Sequence, residues 1–134
     1  MLAATGALEA AREVTLAVAA FRQEASDRFA FGGFAYVPWT WEQIGLLDEM
    51  IGVMGTGRRT PWLEAAEAVA AGSWARAAEI YERCGSAVSV AFARLQAGGD
   101  ADLRAALDFY RVAGASRFVR EAEARLAAIA RQTA

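Results

Sequence analysis

A chain of 134 residues is long enough for one domain, and its alanine-rich, proline-poor composition favours helices over strands. It has no histidine and all fourteen basic residues are arginine, which excludes Ser/His and Cys/His nucleophile pairs, Schiff-base lysines and imidazole-ligated metals. The net charge of −2 predicts neither direct nucleic-acid binding nor attraction to an anionic membrane surface.

The first predicted element is a long helix from about Thr5 to Phe29. Its apolar residues step by threes and fours, which places them on one stripe of a helix. They are Ala11, Val14, Val18, Phe21, Ala25 and Phe29. We expect this stripe to pack on the rest of the domain. A coiled-coil or dimer seam is the alternative, and it would need more heptads than the segment contains.

Residues 29–41 hold six of the fourteen aromatic residues and are broken by two glycines and a proline, which predicts a loop. Aromatic side chains dominate the binding energy of protein interfaces, so Tyr36, Trp39 and Trp41 are candidates for a partner surface. The alternative is a loop that folds back over the first hairpin, because an exposed patch of this size would lower solubility.

A second helix is predicted to begin at Thr40, since residues 40–43, Thr-Trp-Glu-Gln, have the pattern of a capping box. Its apolar stripe continues to Met54, and residues 55–57, Gly-Thr-Gly, end it. Arg58 and Arg59 follow these flexible glycines and precede a helix N-terminus, so they join the candidate partner surface as anion contacts. An ordinary turn after a helix end is the alternative.

Two helix hairpins are predicted between residues 60 and 114. Thr60 and Pro61 have the residue types of an N-cap and a first helical position, and Trp62 follows them on the first helix. Gly72 ends that helix, and glycines also bound the later ones. The partner of the first helix is predicted to begin at residues 73–74, and the second hairpin is predicted to run from Ser86 to Ala97 and from Asp102 to Gly114.

The second helices of the two hairpins repeat one another. Residues 76–86 recur as 104–114, with Ala77 and Tyr81 answered by Ala106 and Tyr110. A small side chain lets two helix backbones approach closely, and a large one four residues later fills the groove beside it. A period of this size is typical of stacked repeat units, so we expect both tyrosines to be buried between the hairpins.

Residues 71–81, Ala-Gly-Ser-Trp-Ala-Arg-Ala-Ala-Glu-Ile-Tyr, resemble the middle of a tetratricopeptide repeat, in which a glycine closes the first helix and an aromatic residue opens the second. Residues 81–86 and 109–121 resemble the last repeats of large bacterial ATPase-containing signalling proteins of the cyclase or helix-turn-helix regulator type. The resemblance covers residues 60–130. It implies a right-handed stack of antiparallel helix hairpins within a larger regulatory protein.

The last predicted helix opens at Ser116, with a polar outer face that suits the terminal capping helix of a repeat stack. The expected fold is therefore one all-α domain of about seven helices. Residues 1–59 hold the first two helices and the aromatic loop, residues 60–114 the two degenerate repeats, and residues 115–134 the capping helix.

Paired carboxylates at helical spacing, such as Glu64 with Glu67, could ligate a hard cation or share a proton. Di-metal helical bundles add a histidine to each such pair, and this chain has none. We therefore interpret these pairs as solvated helix faces and predict neither a metal nor a cofactor.

The sequence predicts a non-enzymatic interaction or scaffolding module that binds a protein or peptide, a neighbouring domain or a second copy of itself. The first helices of the hairpins would form its surface, to which Trp62 and Arg94 belong. A sensor that encloses a small apolar ligand under a lid of residues 29–41 is the alternative. The single cysteine, the absence of a basic leader and the lack of an apolar run of about 18 residues predict a cytoplasmic protein.

Overall fold

Eight α-helices and no strand make up the part of the chain that the structure, a computed structural model, describes: residues 7–24, 35–55 and 59–134. In chain order they are α1 Leu8–Glu24, α2 Tyr36–Gln43, α3 Leu47–Met54, α4 Pro61–Ala70, α5 Trp74–Arg83, α6 Ala87–Ala97, α7 Asp100–Ala113 and α8 Ser116–Thr133. The predicted all-α class is confirmed, with one helix more than expected.

From α3 to α8, each helix packs on the next one in the chain. The turns from α4 to α8 are only two or three residues long, and such short connections join antiparallel neighbours. Thr60 caps α4, its hydroxyl accepting from the Leu63 amide at 3.3 Å, and Ser73 caps α5 in the same way. The predicted starts of these two helices are confirmed.

Helix α6 joins two hydrophobic clusters. Phe92 belongs to the first cluster, which contains residues from α1 to α6, while Ala91 and Leu95 belong to the second, with α7 and α8. Phe118 of α8 packs against both clusters. A helix with apolar residues around most of its circumference is an interior helix, so α6 is the centre of the stack.

The repeated positions of α5 and α7 are buried as predicted. Ala77 and Ala106 are both 0 % exposed, and Tyr81 and Tyr110 are 0 % and 4 % exposed. Tyr81 lies in the first cluster and Tyr110 in the second, so both tyrosines are buried, but they do not share one interior between the hairpins as predicted. Three residues after each tyrosine the two copies differ, because Cys84 on the first is half-buried while Ala113 on the second is exposed.

Tyr81→Phe should raise the free energy of unfolding by about 1 kcal/mol. The Tyr81 hydroxyl is buried and has no hydrogen-bond partner within the described ranges, so removing it relieves a desolvation penalty. The ring keeps its contact with Trp62, whose centroid lies 5.7 Å away. Urea denaturation measures the change. Tyr110→Phe is the matched control and should be close to neutral, whereas a clear loss of stability in Tyr81→Phe would show that the hydroxyl has a partner.

Four of the helices end with the same backbone geometry, in which a glycine adopts positive φ and two backbone hydrogen bonds close the last turn. At Gly85, with φ 72°, the glycine amide donates to the Glu82 carbonyl and the Ser86 amide donates to the Tyr81 carbonyl. This is the Schellman pattern. It recurs at Gly45, Gly72 and Gly114.

Gly85→Ala should lower the free energy of unfolding by about 1–2 kcal/mol, because the left-handed conformation costs an L-residue about that much. A Cβ at Gly85 would meet no atom within 4 Å, so the cost comes from the backbone alone. Gly52→Ala inside α3 is the matched control. Its Cβ also meets nothing within 4 Å, and it should raise stability by about 0.5–1 kcal/mol in urea denaturation. Equal losses at both positions would contradict this reasoning.

The second helix is where the structure differs most from expectation. Thr40 lies inside α2 rather than at its start, and its hydroxyl donates to the Tyr36 carbonyl at 2.8 Å. Gly45 then ends α2, and a separate helix, α3, begins at Leu47. The predicted capping box at residues 40–43 is therefore wrong. The loop predicted at residues 29–41 is also wrong for residues 36–41, which belong to α2. Residues 25–34, which include part of the predicted first helix and the first six residues of that loop, lie outside the described residues.

Candidate functional site

The structure places two of the predicted surface tryptophans in or against the core rather than on an exposed surface. Trp41 is 5 % exposed and belongs to the first core cluster, because α2 directs it into the interior rather than toward a partner. Trp62 is half-buried and packs on the same cluster against the ring of Tyr81. Both side chains therefore contribute mainly to folding.

The predicted arginines lie apart as well. Arg59 is exposed and forms a two-pronged pair with Glu67, its two nitrogens lying 3.1 Å and 2.6 Å from the carboxylate oxygens. Arg94 is 4.0 Å from Glu82 and lines a groove of about 310 Å³ that has α5 and α7 as its walls. Arg58 lies outside the described residues. The turn that precedes Arg58 also lies partly outside the described residues, so the anion contacts predicted for Arg58 and Arg59 stay a prediction.

Tyr36 lines a second groove, which borders a different face of α6 and has a volume of about 290 Å³. We call it the aromatic groove, because four rings from α2, α6, α7 and α8 meet there. Its lining residues are Ala35, Tyr36, Val88, Ser89, Phe92, Tyr110, Arg117 and Phe118. Of the apolar lining residues, Val88 is the most exposed to solvent, with 58 % of its surface accessible.

Phe92 holds the rings of the aromatic groove together. Its ring centroid lies 4.9 Å from Tyr36, 5.9 Å from Trp39, 6.1 Å from Trp74 and 6.4 Å from Phe118. These tilted and edge-to-face arrangements are the ones that aromatic rings favour. Trp39 therefore supports Tyr36 from behind, since their own centroids are 4.9 Å apart.

A buried serine fixes the start of α2 against α6 at one end of the aromatic groove. The Ala35 amide donates to Ser89 Oγ at 3.1 Å, and the Ser86 hydroxyl donates to the same atom at 2.9 Å. Ser89 is 1 % exposed and Ala35 is 0 % exposed, so these hydrogen bonds are made away from water. Because buried polar groups need such partners, the two helices are held in one relative position.

The opposite wall of the groove comes from α7 and α8. The rings of Tyr110 and Phe118 are stacked, with centroids 4.8 Å apart and planes 17° from parallel. The Arg117 guanidinium lies 5.9 Å from the centre of the Phe118 ring, a cation–π distance. Burial, with the Glu121 carboxylate as a second cause, raises the pKa of Tyr110, so its phenol stays neutral.

Surface ion pairs engage several of the carboxylates considered in the sequence. Glu64 lies 3.6 Å from Arg76 and 3.2 Å from Arg83, as expected of a solvated helix face. Within the described ranges, no three side chains of histidine, cysteine, aspartate or glutamate come together in a metal-binding group. Burial raises the pKa of the Cys84 thiol, which disfavours the nucleophilic thiolate.

Several groove residues carry no local signal of a binding site. Ser89 reads as an ordinary polar residue of a helix, Phe92 as core, and Arg117 as part of a solvated capping helix. Their roles depend on α2 and α8 both packing beside α6, which no short motif encodes. Tyr36 is the one predicted surface residue that lines the groove, and Trp39 lies directly behind it.

None of the helices in the described ranges has the length and apolar content needed to cross a membrane. No protein-family model, curated protein or solved structure gives a significant match to the chain.

Proposed function

We propose that the protein is a non-enzymatic interaction module that binds a segment of a partner protein in the aromatic groove. The observation that carries this proposal is an open apolar concavity walled by four aromatic rings, with the exposed side chain of Val88 at its edge. Aromatic side chains are the commonest anchors of protein interfaces. An exposed apolar side chain beside them adds contact area that water otherwise covers.

The size of the groove suits a partner side chain. Its volume of about 290 Å³ lies at the lower end of the range of about 300–1,000 Å³ found for small-molecule sites. One or two large apolar side chains fit such a space. The alternative proposal, a small-molecule sensor with residues 29–41 as its lid, has less support, because residues 36–41 lie in the packed helix α2 and the segment 29–34 lies outside the described residues.

The walls of the groove are preorganised for binding. Phe92 is 6 % exposed among its ring neighbours, and the Ser89 hydrogen bond ties α2 to α6. A partner that inserts a side chain here would not have to order the receiving helices, which lowers the entropic cost of association. This is how a small groove can support specific binding.

We further propose that the module acts in the cytoplasm as part of a larger bacterial regulatory protein. The support is the resemblance of residues 71–81 to a tetratricopeptide repeat and of residues 81–86 and 109–121 to the last repeats of such proteins. The single cysteine, Cys84, is free and half-buried, as is usual in a reducing compartment.

Selection from a phage-displayed library of random dodecapeptides on the immobilised protein tests the proposed binding. The enriched peptides should carry a large apolar residue, and Val88→Gln should weaken their binding about fivefold by making the groove edge polar. The substitution is neutral and lies at an exposed position, so circular dichroism should show an unchanged fold.

Val112→Gln on α7 is the matched control. Val112 is 92 % exposed and does not line the groove, so this variant should bind the enriched peptides as tightly as the wild type. Equal weakening in both variants, or no enrichment above a bait-free selection, would overturn the proposed function.

A further inference from the structure

Arg117 is the single charged residue among the described residues that line the aromatic groove. Its guanidinium lies 5.9 Å from the ring centroid of the next residue, Phe118, and no described carboxylate forms an ion pair with it. Seven other arginines of the described ranges lie within 4.0 Å of a carboxylate: Arg59, Arg76, Arg83, Arg94, Arg104, Arg111 and Arg125. Arg12, Arg120 and Arg131 form no such pair with a described carboxylate either, but they do not line the groove. The groove therefore carries a positive charge without an ion-pair partner among the described residues, since Glu121, the carboxylate that acts on Tyr110, is paired with Arg125 at 2.7 Å.

The position of Arg117 on its helix increases this positive charge. Arg117 lies in the first turn of α8, which has no acidic residue and no side-chain cap at Ala115. The N-terminal end of a helix is itself positive, and a cation there is unfavourable unless an anion lies close by. An incoming carboxylate would meet both the guanidinium and the helix end.

Resting on the proposed function, we infer that the groove recognises an acidic peptide segment in which a large apolar residue stands near an aspartate or glutamate. The apolar side chain inserts among Tyr36, Phe92 and Phe118, and the side-chain carboxylate pairs with Arg117 at the edge. Arginine suits this role because its planar guanidinium can donate two parallel hydrogen bonds to a carboxylate while it lies over an aromatic ring.

Charge complementarity favours such a peptide over a nucleic acid. A nucleic acid needs several phosphate contacts, which call for a basic surface. Here a single arginine stands beside an apolar concavity in a chain of net charge −2. The groove is small and lined mainly by apolar residues, so it can accept one apolar side chain, while Arg117 at its edge can bind one neighbouring carboxylate.

Three phage-displayed pools of dodecapeptides test this inference on the intact chain. Each peptide has one fixed phenylalanine. The remaining positions vary among neutral residues, with glutamate added in the first pool, extra glutamine in the second and arginine in the third. Enriched peptides are then synthesised with acetylated and amidated ends, which removes the terminal charges, and their Kd is measured by fluorescence anisotropy. On the wild type, the glutamate peptides should bind about three- to tenfold more tightly than their glutamine counterparts, with the difference shrinking at high salt.

Arg117→Glu should reverse the preference, so that arginine peptides bind more tightly than glutamate peptides. The variant should keep its fold, because a glutamate is favourable in the first turn of a helix. Arg120→Glu is the matched control. It makes the same charge change one turn along α8, at an exposed residue that does not line the groove, and it should leave the wild-type order intact.

The outcomes separate this inference from the proposed function. If peptides from all three pools bind the wild type with equal Kd and Val88→Gln weakens the binding of all of them, the groove binds apolar peptides and the inferred acidic preference is wrong. If Arg117→Glu and Arg120→Glu change the preference equally, the effect is the overall charge of α8 and the role of Arg117 is overturned. If no pool binds, both proposals fall.

Discussion

Phe92→Ala should lower the free energy of unfolding by about 3–5 kcal/mol, the usual cost of truncating a buried phenylalanine. Phe92 is 6 % exposed and its ring centroid lies within 6.4 Å of four other aromatic rings, so the truncation opens a cavity at the centre of the stack. The cavity also borders the aromatic groove, which it would enlarge. Urea denaturation gives the loss in stability, and near-ultraviolet circular dichroism reports the altered packing of Trp39 and Trp74.

Phe109→Ala is the control for this loss. Phe109 is half-buried on α7 and makes an edge contact with Tyr110 at 5.6 Å. Removing the same number of atoms there should cost less than half as much, because solvent can reach the vacated space. If the two truncations lower the free energy of unfolding equally, Phe92 does not organise the cluster of rings that walls the groove.

The hairpins of residues 60–114 were predictable because their signals are local. Thr60 followed by Pro61 is sufficient to begin α4, and Gly72 and Gly85 end helices by adopting a conformation that other residues avoid. On α5 and α7, an alanine followed four residues later by a tyrosine marks the buried face of the helix without any knowledge of its neighbours. Local chemistry and tertiary packing agree in this part of the chain.

The region around α2 was mispredicted because two local signals compete there. Residues 40–43 match a capping box, yet the Thr40 hydroxyl donates to the carbonyl four residues earlier, an alternative open to threonine inside a helix. Gly45 is the stronger signal, since a glycine after an apolar helix marks its end. A glycine at position 45 therefore favours a short helix before it and a separate helix after it.

The aromatic groove itself could not be derived from the sequence. Its walls come from four helices, and residues as distant as Tyr36 and Phe118 line the same space. The sequence supplies the aromatic residues of α2 but not the fact that α6 and α8 receive them. Arg117 is a candidate binding residue because it lines the groove and pairs with no carboxylate in the described ranges. Both properties depend on tertiary structure and not on local sequence.

Ser89→Ala should lower the free energy of unfolding by about 1–3 kcal/mol, although it removes a single oxygen atom. The Ala35 amide donates to Ser89 Oγ at 3.1 Å in a fully buried position, so the substitution leaves that amide without its acceptor. Because this hydrogen bond ties α2 to α6, the change should also loosen the ring of Tyr36 against Phe92. Urea denaturation gives the loss, and faster hydrogen exchange at Ala35 locates it.

Ser86→Ala separates the two hydrogen bonds that meet at Ser89. It removes the 2.9 Å donor to Ser89 Oγ and leaves the bond from the Ala35 amide in place, so it should cost only about 0.5 kcal/mol, near the lower end for a hydrogen bond. Hydrogen exchange at Ala35 should stay slow in this variant. If exchange there is equally fast in both variants, the start of α2 is held by something other than Ser89, and the groove owes its shape to ring packing alone.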